Sequence, residues 1–214
     1  MSRLNVGCGQ TPTAGWKNYD NSPSVRLARR PITALLLDKL GMLDSRQKEF
    51  IAFAKLSEIQ WANVTRKIPE PDRSVEVLYS SHMLEHLDKS EAMHFLNEVR
   101  RILISGGMIR LAVPDIHYHV DNYLQHKDAD RFIEETLLTR PKNKSFLDKL
   151  KYFWVGDRHH LWMYDGDSLC KLLSVAGFQN AQVMEPGTTK IKDPGQLNLR
   201  EREPESVFVE AVNP

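Results

Sequence analysis

The stretch Ser74–Asp115 constrains the fold more than any other part of this chain. Residues 75–80, VEVLYS, form a short β-branched and aromatic run of the kind that makes a buried strand. Apolar residues then recur at helical spacing after Ser90, the expected N-cap, until the Ser-Gly-Gly sequence at 105–107 ends the helix. A second apolar strand is expected at 108–113. Strand, helix and strand in this order predict a βαβ unit with two parallel strands.

The carboxyl ends of these two strands form the expected ligand edge, because ligands of parallel sheets bind beyond the carboxyl ends of the strands. Ser80, Ser81 and His82 end the first strand, and Pro114 and Asp115 end the second.

The chain begins with a short strand at 3–6, followed by the turn Gly7-Cys8-Gly9 and a second strand that ends at Asp20. The residues between Gly9 and Asp20 are too few for a crossover helix with its loops. A dinucleotide pyrophosphate needs the amino end of such a helix. NAD and FAD are therefore not expected as ligands. Asp20 is predicted either to accept hydrogen bonds from ribose hydroxyls or to cap its own turn.

Composition predicts one globular domain of 214 residues, with 41% hydrophobic residues and a formal charge of +1. The near-neutral charge argues against a dedicated nucleic-acid partner. Two cysteines, Cys8 and Cys170, suggest a reduced compartment, and the expected location is the cytoplasm because neither a signal peptide nor a membrane span is recognisable.

The segment 24–58 is expected to hold two helices, at 24–40 and 44–57, before a third strand at 59–64. The first helix is amphipathic and basic at its start. Such a helix can make peripheral contact with a membrane surface, or cover the sheet or a neighbouring subunit.

The expected elements of the remaining chain are a helix at 116–126, a helical insertion at 128–155, a helix capped by Asp167 or Ser168 that ends at Val175, and strands at 182–185 and 206–212. A polar loop as long as 186–204 is usually functional or disordered.

Four motifs together resemble one family. They are LNVGCG, the acidic residue of NYDNS, the run PEPDRSVEVLYSSHMLEHL and the block RRILISGGMIRLAVPD. In this order they are similar to class I S-adenosylmethionine-dependent methyltransferases, in particular the small stand-alone bacterial type (methyltransferase type 11-like). The resemblance implies an α/β Rossmann-like fold with a seven-stranded, mostly parallel sheet and a C-terminal antiparallel hairpin. It also implies one methyltransferase domain at 1–214, with helical insertions at about 24–58 and 128–155.

The resemblance implies a set of contacts with the cofactor S-adenosylmethionine. They are Gly7, Cys8 and Gly9 under the methionine part, Asp20 at the ribose, Asn63 and the amide of Val64 at the adenine, and Ser80, Ser81 and His82 near the reactive methyl group.

Three positions depart from the family pattern. Asn5 stands where an acidic residue is usual, Asn63 replaces the usual Asp, and Thr11 replaces the third glycine of the loop. An amide accepts a hydrogen bond without charge assistance, so weaker cofactor binding is expected. The departures leave open a non-catalytic nucleoside-binding module of the same fold as the alternative.

Methyl transfer to a hydroxyl needs a group that takes the proton, and histidine suits this task at neutral pH. The candidates are His82, His117, His119, His159, His160 and the carboxylate Asp115. Position favours His82, which follows the central strand, and His160, which precedes an apolar run and a capped helix.

The sequence His82-Met83-Leu84-Glu85-His86 matches the H-x-x-E-H arrangement of inverted zinc proteases, although a βαβ unit has no place in that class. Glu85 and His86 also resemble a Glu-His pair with which some methyltransferases hold a divalent metal, and His160 is the candidate third ligand. The alternative is a hydrogen-bonded structural cluster.

The prediction is therefore an S-adenosylmethionine-dependent methyltransferase that transfers to an oxygen of a small molecule or a saccharide. The prediction of a saccharide acceptor rests on the resemblance to stand-alone bacterial enzymes of surface-glycan assembly. The acceptor, its regiochemistry and the oligomeric state are left open.

Overall fold

The computed structural model describes residues 1–138 and 159–214. Seven strands lie in these ranges: β1 Ser2–Val6, β2 Lys17–Asp20, β3 Ile59–Trp61, β4 Val75–Ser81, β5 Leu103–Pro114, β6 Gln179–Met184 and β7 Ser206–Val212. They form one sheet in the order β3-β2-β1-β4-β5-β7-β6. The strands β1 to β5 are parallel, and β7 runs antiparallel between β5 and β6. The predicted mostly parallel sheet with a reversed C-terminal hairpin is confirmed.

The helices of the described residues are α1 Pro23–Ala28, α2 Pro31–Lys39, α3 Ser45–Leu56, α4 Lys89–Ile102, α5 Ile116–His126, α6 Ala129–Glu135 and α7 Gly166–Val175. A short 3₁₀ turn at Leu84–His86 precedes α4. Residues 7–16, between β1 and β2, contain no helix, as their number predicts.

The segment 24–58 holds three helices and not two, because Pro31 ends the first helix and fits the first position of the next. The helix α6 lies within the predicted insertion at 128–155, of which residues 139–155 lie outside the described residues.

Two predicted helix starts are wrong because an earlier Asp takes the cap. Asp88, and not Ser90, caps α4, accepting a hydrogen bond from the Glu91 amide at 2.8 Å. Asp165 caps α7, in place of Asp167 or Ser168. In both cases the third residue of the helix bonds back to the cap backbone, which satisfies two amides at once.

The predicted stop at 105–107 is also wrong. The helix α4 ends at Ile102 and β5 begins at Leu103, so both glycines lie inside the strand. Gly106 has a φ of +77°, and the pairing with β4 is irregular there, so the glycines accommodate a bulge.

The two faces of the sheet are covered by different kinds of structure. On one face α4 and α7 pack their buried residues, among them Phe95, Leu96, Leu169 and Leu173, against the strands. On the other face the covering element is the β6–β7 loop, residues 185–205. Its buried residues Ile191 and Leu197 pack against Trp16, Tyr79 and Phe208. The polar loop, whose length predicted a functional or disordered segment, therefore contributes residues to the core.

A buried ion pair fixes this loop to the sheet. Arg110 of β5 and Glu210 of β7 are 0% exposed, and their side chains are joined at 2.6 Å. Arg110 also donates to the Thr188 carbonyl at 2.9 Å, and Glu210 accepts from the Lys190 amide at 2.8 Å. Both charges thus bond to the loop as well as to each other, so their desolvation is compensated only while the loop is in place.

Replacing Glu210 by Ala should destabilise the protein by about 3–5 kcal/mol, because it leaves the Arg110 charge buried and unpaired. The free energy of unfolding from urea titration measures this loss. The control is Glu203→Ala, which breaks the exposed pair with Arg200 and should cost less than about 1 kcal/mol. Equal losses in the two variants would show that the buried pair does not hold the loop.

Candidate functional site

The ends of the first three strands meet at one edge of the sheet. The Gly7 amide donates to the Tyr19 carbonyl at 2.8 Å, and the Ala62 amide donates to the Asp20 carbonyl at 3.1 Å. The turn after β1, the end of β2 and the residues after β3 are thus joined by backbone hydrogen bonds. These bonds bring the ends of β1, β2 and β3 to the same edge of the sheet.

The Asp20 carboxylate holds the turn at residues 7–9 in place. Its Oδ2 accepts from the Gly9 amide at 2.9 Å, and its Oδ1 accepts from the Ser22 amide at 2.7 Å. Burial raises the pKa of this carboxyl, and the two amides oppose that shift. Of the two roles open from the sequence, the turn-capping role is confirmed. Each oxygen retains a further lone pair for another donor.

The two glycines of this turn have different surroundings. Both have positive φ, +69° at Gly7 and +50° at Gly9. A Cβ at Gly7 would lie 3.0 Å from the side chain of Met83, so Met83 occupies the space above it. A Cβ at Gly9 would meet no atom within 4 Å. The turn is therefore covered by the chain at its first glycine and open at its second.

The predicted third strand is too long. The strand β3 ends at Trp61, so Asn63 and Val64 lie in the turn that follows. Asn63 Oδ1 accepts from Thr65 Oγ1 at 2.7 Å, and Val64 is buried. Both residues remain at the ligand edge, beside the end of β2, because the chain turns there before it returns to β4.

The end of β4 carries an unusual backbone conformation. Ser80 and Ser81 are buried, and His82 directly after them has a φ of +48°, which residues with a Cβ rarely adopt. The His82 amide donates to the Ala112 carbonyl of β5 at 2.9 Å. Strained conformations of this kind cluster at functional sites, where the surrounding structure holds them.

The His82 ring is oriented by the β6–β7 loop and the start of β7. Its Nε2 lies 2.8 Å from Ser206 Oγ, which donates onward to the Arg202 carbonyl at 3.3 Å. An Arg202 guanidinium nitrogen lies 3.3 Å from Nδ1. This pattern places the ring hydrogen on Nε2 and the lone pair on Nδ1. Arg202 and Ser206 were not predicted as site residues, and the long polar loop was the only signal that pointed to them.

Three histidines surround Glu85. Its Oε1 lies 3.4 Å from His82 Nδ1, 3.9 Å from His86 Nε2 and 4.0 Å from His160 Nε2. The backbone carbonyl of Glu85 accepts from the amides of Leu161 and Trp162, which brings the segment after residue 159 to this place. The sequence-predicted grouping of Glu85, His86 and His160 is therefore present.

Burial shifts the pKa of two groups near Glu85, His160 and Tyr164. It lowers the pKa of His160 to about 4, although the charge of Glu85 acts in the opposite direction. Burial and the Glu85 charge together raise the pKa of Tyr164 to about 12.

Asp115 lies at the end of β5, one strand away from His82. Its carboxylate caps α5 by accepting from the His117 amide at 3.0 Å. The helix α5 carries His117, which is exposed, and His119, which is buried and has a pKa lowered by burial. Asp115 and α5 follow the end of β5, and no hydrogen bond or ion pair within residues 1–138 and 159–214 joins these three residues to Glu85.

Glu201 closes the site from the β6–β7 loop. Its carboxylate accepts from Thr11 Oγ1 at 2.9 Å and from the Tyr79 hydroxyl at 2.8 Å. Thr11, which stands at the position of the family's third glycine, thus has a hydrogen-bonding role. The loop is tied both to the turn after β1 and to β4.

Comparisons with known proteins agree with this geometry. A family model described as a methyltransferase domain matches residues 5–183. No curated protein matches the sequence. A SAM-dependent methyltransferase from Thermotoga maritima, described as a "possible histamine N-methyltransferase", is 14% identical, with 100% of this chain and 82% of that chain covered and a TM-score of 0.51.

Two further solved structures are similar. A SAM-dependent methyltransferase from Methanosarcina mazei is 16% identical, covering 99% of this chain and 91% of its own, with a TM-score of 0.51. A complex of DhpI with SAH is 11% identical, covering 98% and 75% of the two chains, with a TM-score of 0.52. At these identities the likeness is one of fold.

Proposed function

The chain belongs to the class I S-adenosylmethionine-dependent methyltransferases, and from this premise we propose that it methylates a hydroxyl oxygen of a small molecule or a saccharide. The observation that carries the proposal is His82, an imidazole held in a strained conformation where β4 ends. The DhpI structure, which contains SAH, has the same fold.

The proposed cofactor position follows the strand ends. The methionine part would lie over Gly9, because the space above it is open and the backbone can approach a ligand closely there. The ribose would donate to the remaining lone pairs of Asp20, and the adenine would lie against Asn63 and Val64. Ser80 and Ser81 would line the space towards the methyl group.

His82 is the proposed proton acceptor. Methyl transfer from a sulfonium requires the nucleophile, the methyl carbon and the sulfur in line, and positioning contributes roughly 7–11 kcal/mol. S-adenosylmethionine would supply the methyl group, and its sulfur would leave as a neutral thioether. His82 Nδ1 would accept the hydroxyl proton, giving up its 3.3 Å contact with the Arg202 guanidinium. His160 is less suited to this role because burial lowers its pKa to about 4, and Asp115 is less suited because its carboxylate caps α5.

A Gly9→Ala variant tests the cofactor position. It should lose little stability, about 1–2 kcal/mol for the left-handed backbone, yet bind S-adenosylmethionine at least tenfold more weakly. Calorimetric titration of the wild type should give a dissociation constant on the order of 10 µM. Gly15→Ala is the matched control, since Gly15 also has a positive φ and open space but lies at the other end of β2. Equal affinity in both variants contradicts the proposed position.

A His82→Gln variant separates an enzyme from a non-catalytic module. Labelled methyl transfer to a panel of polyols and saccharides should fall by roughly 10²–10⁴-fold, while affinity for S-adenosylmethionine stays within a few-fold. Cofactor binding by the wild type with no transfer to any hydroxyl compound would favour the nucleoside-binding module instead.

We propose in addition that α2 rests on an anionic membrane surface. Its apolar residues Ile32, Leu35, Leu36 and Leu40 are 76%, 55%, 56% and 71% exposed and share one side of the helix. The exposed cations Arg29, Arg30 and Lys39 flank them, which complements anionic headgroups. No helix in the described ranges is long and apolar enough to cross a membrane.

Vesicle sedimentation tests this contact. The wild type should co-sediment with vesicles of phosphatidylcholine and phosphatidylglycerol but not with phosphatidylcholine alone, and Leu35→Glu with Leu36→Glu should abolish it. Leu56→Glu is the control, because Leu56 is 92% exposed at the end of α3. If the wild type is a dimer that the double variant separates, the face belongs to a second copy and the membrane proposal is wrong.

A further inference from the structure

Glu85 carries a buried carboxylate whose charge is not compensated by hydrogen bonds. The residue is 1% exposed, and neither of its oxygens has a hydrogen-bond partner within residues 1–138 and 159–214. A buried charge in this state costs several kcal/mol unless a cation accompanies it. The atoms around Glu85 determine which cation can bind there.

The orientation of the His86 ring excludes it as a hydrogen donor to Glu85 in its neutral form. Nδ1 lies 3.0 Å from the His159 carbonyl, which can only accept, so Nδ1 carries the hydrogen. The lone pair is then on Nε2, the nitrogen that faces Glu85. A carbonyl partner on the far nitrogen is also the usual arrangement behind a metal-ligating histidine.

The distances favour a metal ion over a shared proton. A protonated imidazole donates to a carboxylate at about 2.7–2.9 Å, whereas His82, His86 and His160 stand 3.4, 3.9 and 4.0 Å from Oε1. Bonds of about 2.0–2.2 Å to one ion in tetrahedral geometry separate the ligand atoms by roughly 3.4 Å. The two distances to Oε1 thus need to shorten by only about half an ångström, and all three ligand atoms lie within 4.8 Å of one another.

We propose that Glu85, His86 and His160 bind a divalent transition-metal ion. The three ligand atoms lie within 4.8 Å of one another, and the Nε2 atoms of both histidines lie about 4 Å from Glu85 Oε1. Two imidazoles and one carboxylate suit Zn²⁺, Co²⁺ or Mn²⁺ better than Mg²⁺ or Ca²⁺, which prefer oxygen ligands. His82 Nδ1 is already partnered by Arg202 and lies outside the ligand set.

A site with three protein ligands keeps at least one position open. The cluster directly follows His82 and the end of β4, so an acceptor hydroxyl bound there would lie near the ion. This last step rests on the proposed methyltransferase function. Binding of the ion itself does not depend on it.

The test is metal binding by tag-free protein stripped with a chelator and titrated separately with Zn²⁺, Co²⁺, Mn²⁺ and Mg²⁺. Calorimetry and elemental analysis should give one equivalent of a transition metal and none of Mg²⁺, and Co²⁺ should show visible absorption bands of a nitrogen-containing site. Glu85→Gln and His86→Ala should weaken binding at least tenfold. His86 is the safer variant, since its side chain is 30% exposed and its loss leaves no cavity in the core.

His94→Ala is the matched control, because His94 is exposed and bonds only the Arg66 carbonyl among the described residues. It should bind the metal as the wild type does. Binding below a tenth of an equivalent, or equal binding in all variants, would falsify the metal site. S-adenosylmethionine titration of the same stripped samples keeps the two proposals apart: cofactor binding without metal binding overturns the metal site alone.

Discussion

The buried pair of Arg110 and Glu210 holds the β6–β7 loop against the sheet, and the arrangement of the ligand edge depends on it. The turn between β1 and β2 is too short for a helix, so this connection supplies no helical cover to the central strands. The loop supplies that cover with Ile191 and Leu197. The same loop reaches the ligand edge, where Glu201 and Arg202 contact the turn after β1 and the His82 ring. The same loop therefore both packs the core and orients the residues of the site.

The ligand edge combines two electrostatic environments. Around Asp20 the carboxylate is satisfied by backbone amides, so it fixes the glycine turn without another charge. Around Glu85 the carboxylate oxygens have no hydrogen-bond partner among the described residues and face imidazole nitrogens 3.4–4.0 Å away, and in our proposal a metal ion completes this environment. Methyl transfer is a substitution at carbon, in which positioning and proton removal dominate. In the proposed site the backbone of the glycine turn positions the cofactor, and side chains near the end of β4 bind the acceptor and take its proton.

Sequence patterns predicted the parts of the fold that local physics controls. The βαβ unit, the missing crossover helix and the strand at 206–212 follow from hydrophobic periodicity and chain length, and the structure has all three. The errors lie at boundaries. Asp88 and Asp165 cap their helices through reciprocal hydrogen bonds with the residues three positions later. The two glycines predicted to end α4 instead lie inside β5, where they form a bulge. Several capping residues stood close together in each stretch, and only the packed helix selects one of them.

By itself the sequence determined the strand ends that carry the glycine turn, Asp20 and His82, because each follows directly from an apolar run and its termination. Only the tertiary structure decided that Glu210, Glu201 and Arg202 would return 100 to 122 residues later in the chain to pair with Arg110, Tyr79 and His82. A charged residue in a strand, such as Arg110, signals that a partner is needed but not which one. Pairings between such distant positions depend on how the sheet is ordered and which surface each loop covers, and these are properties of the assembled core.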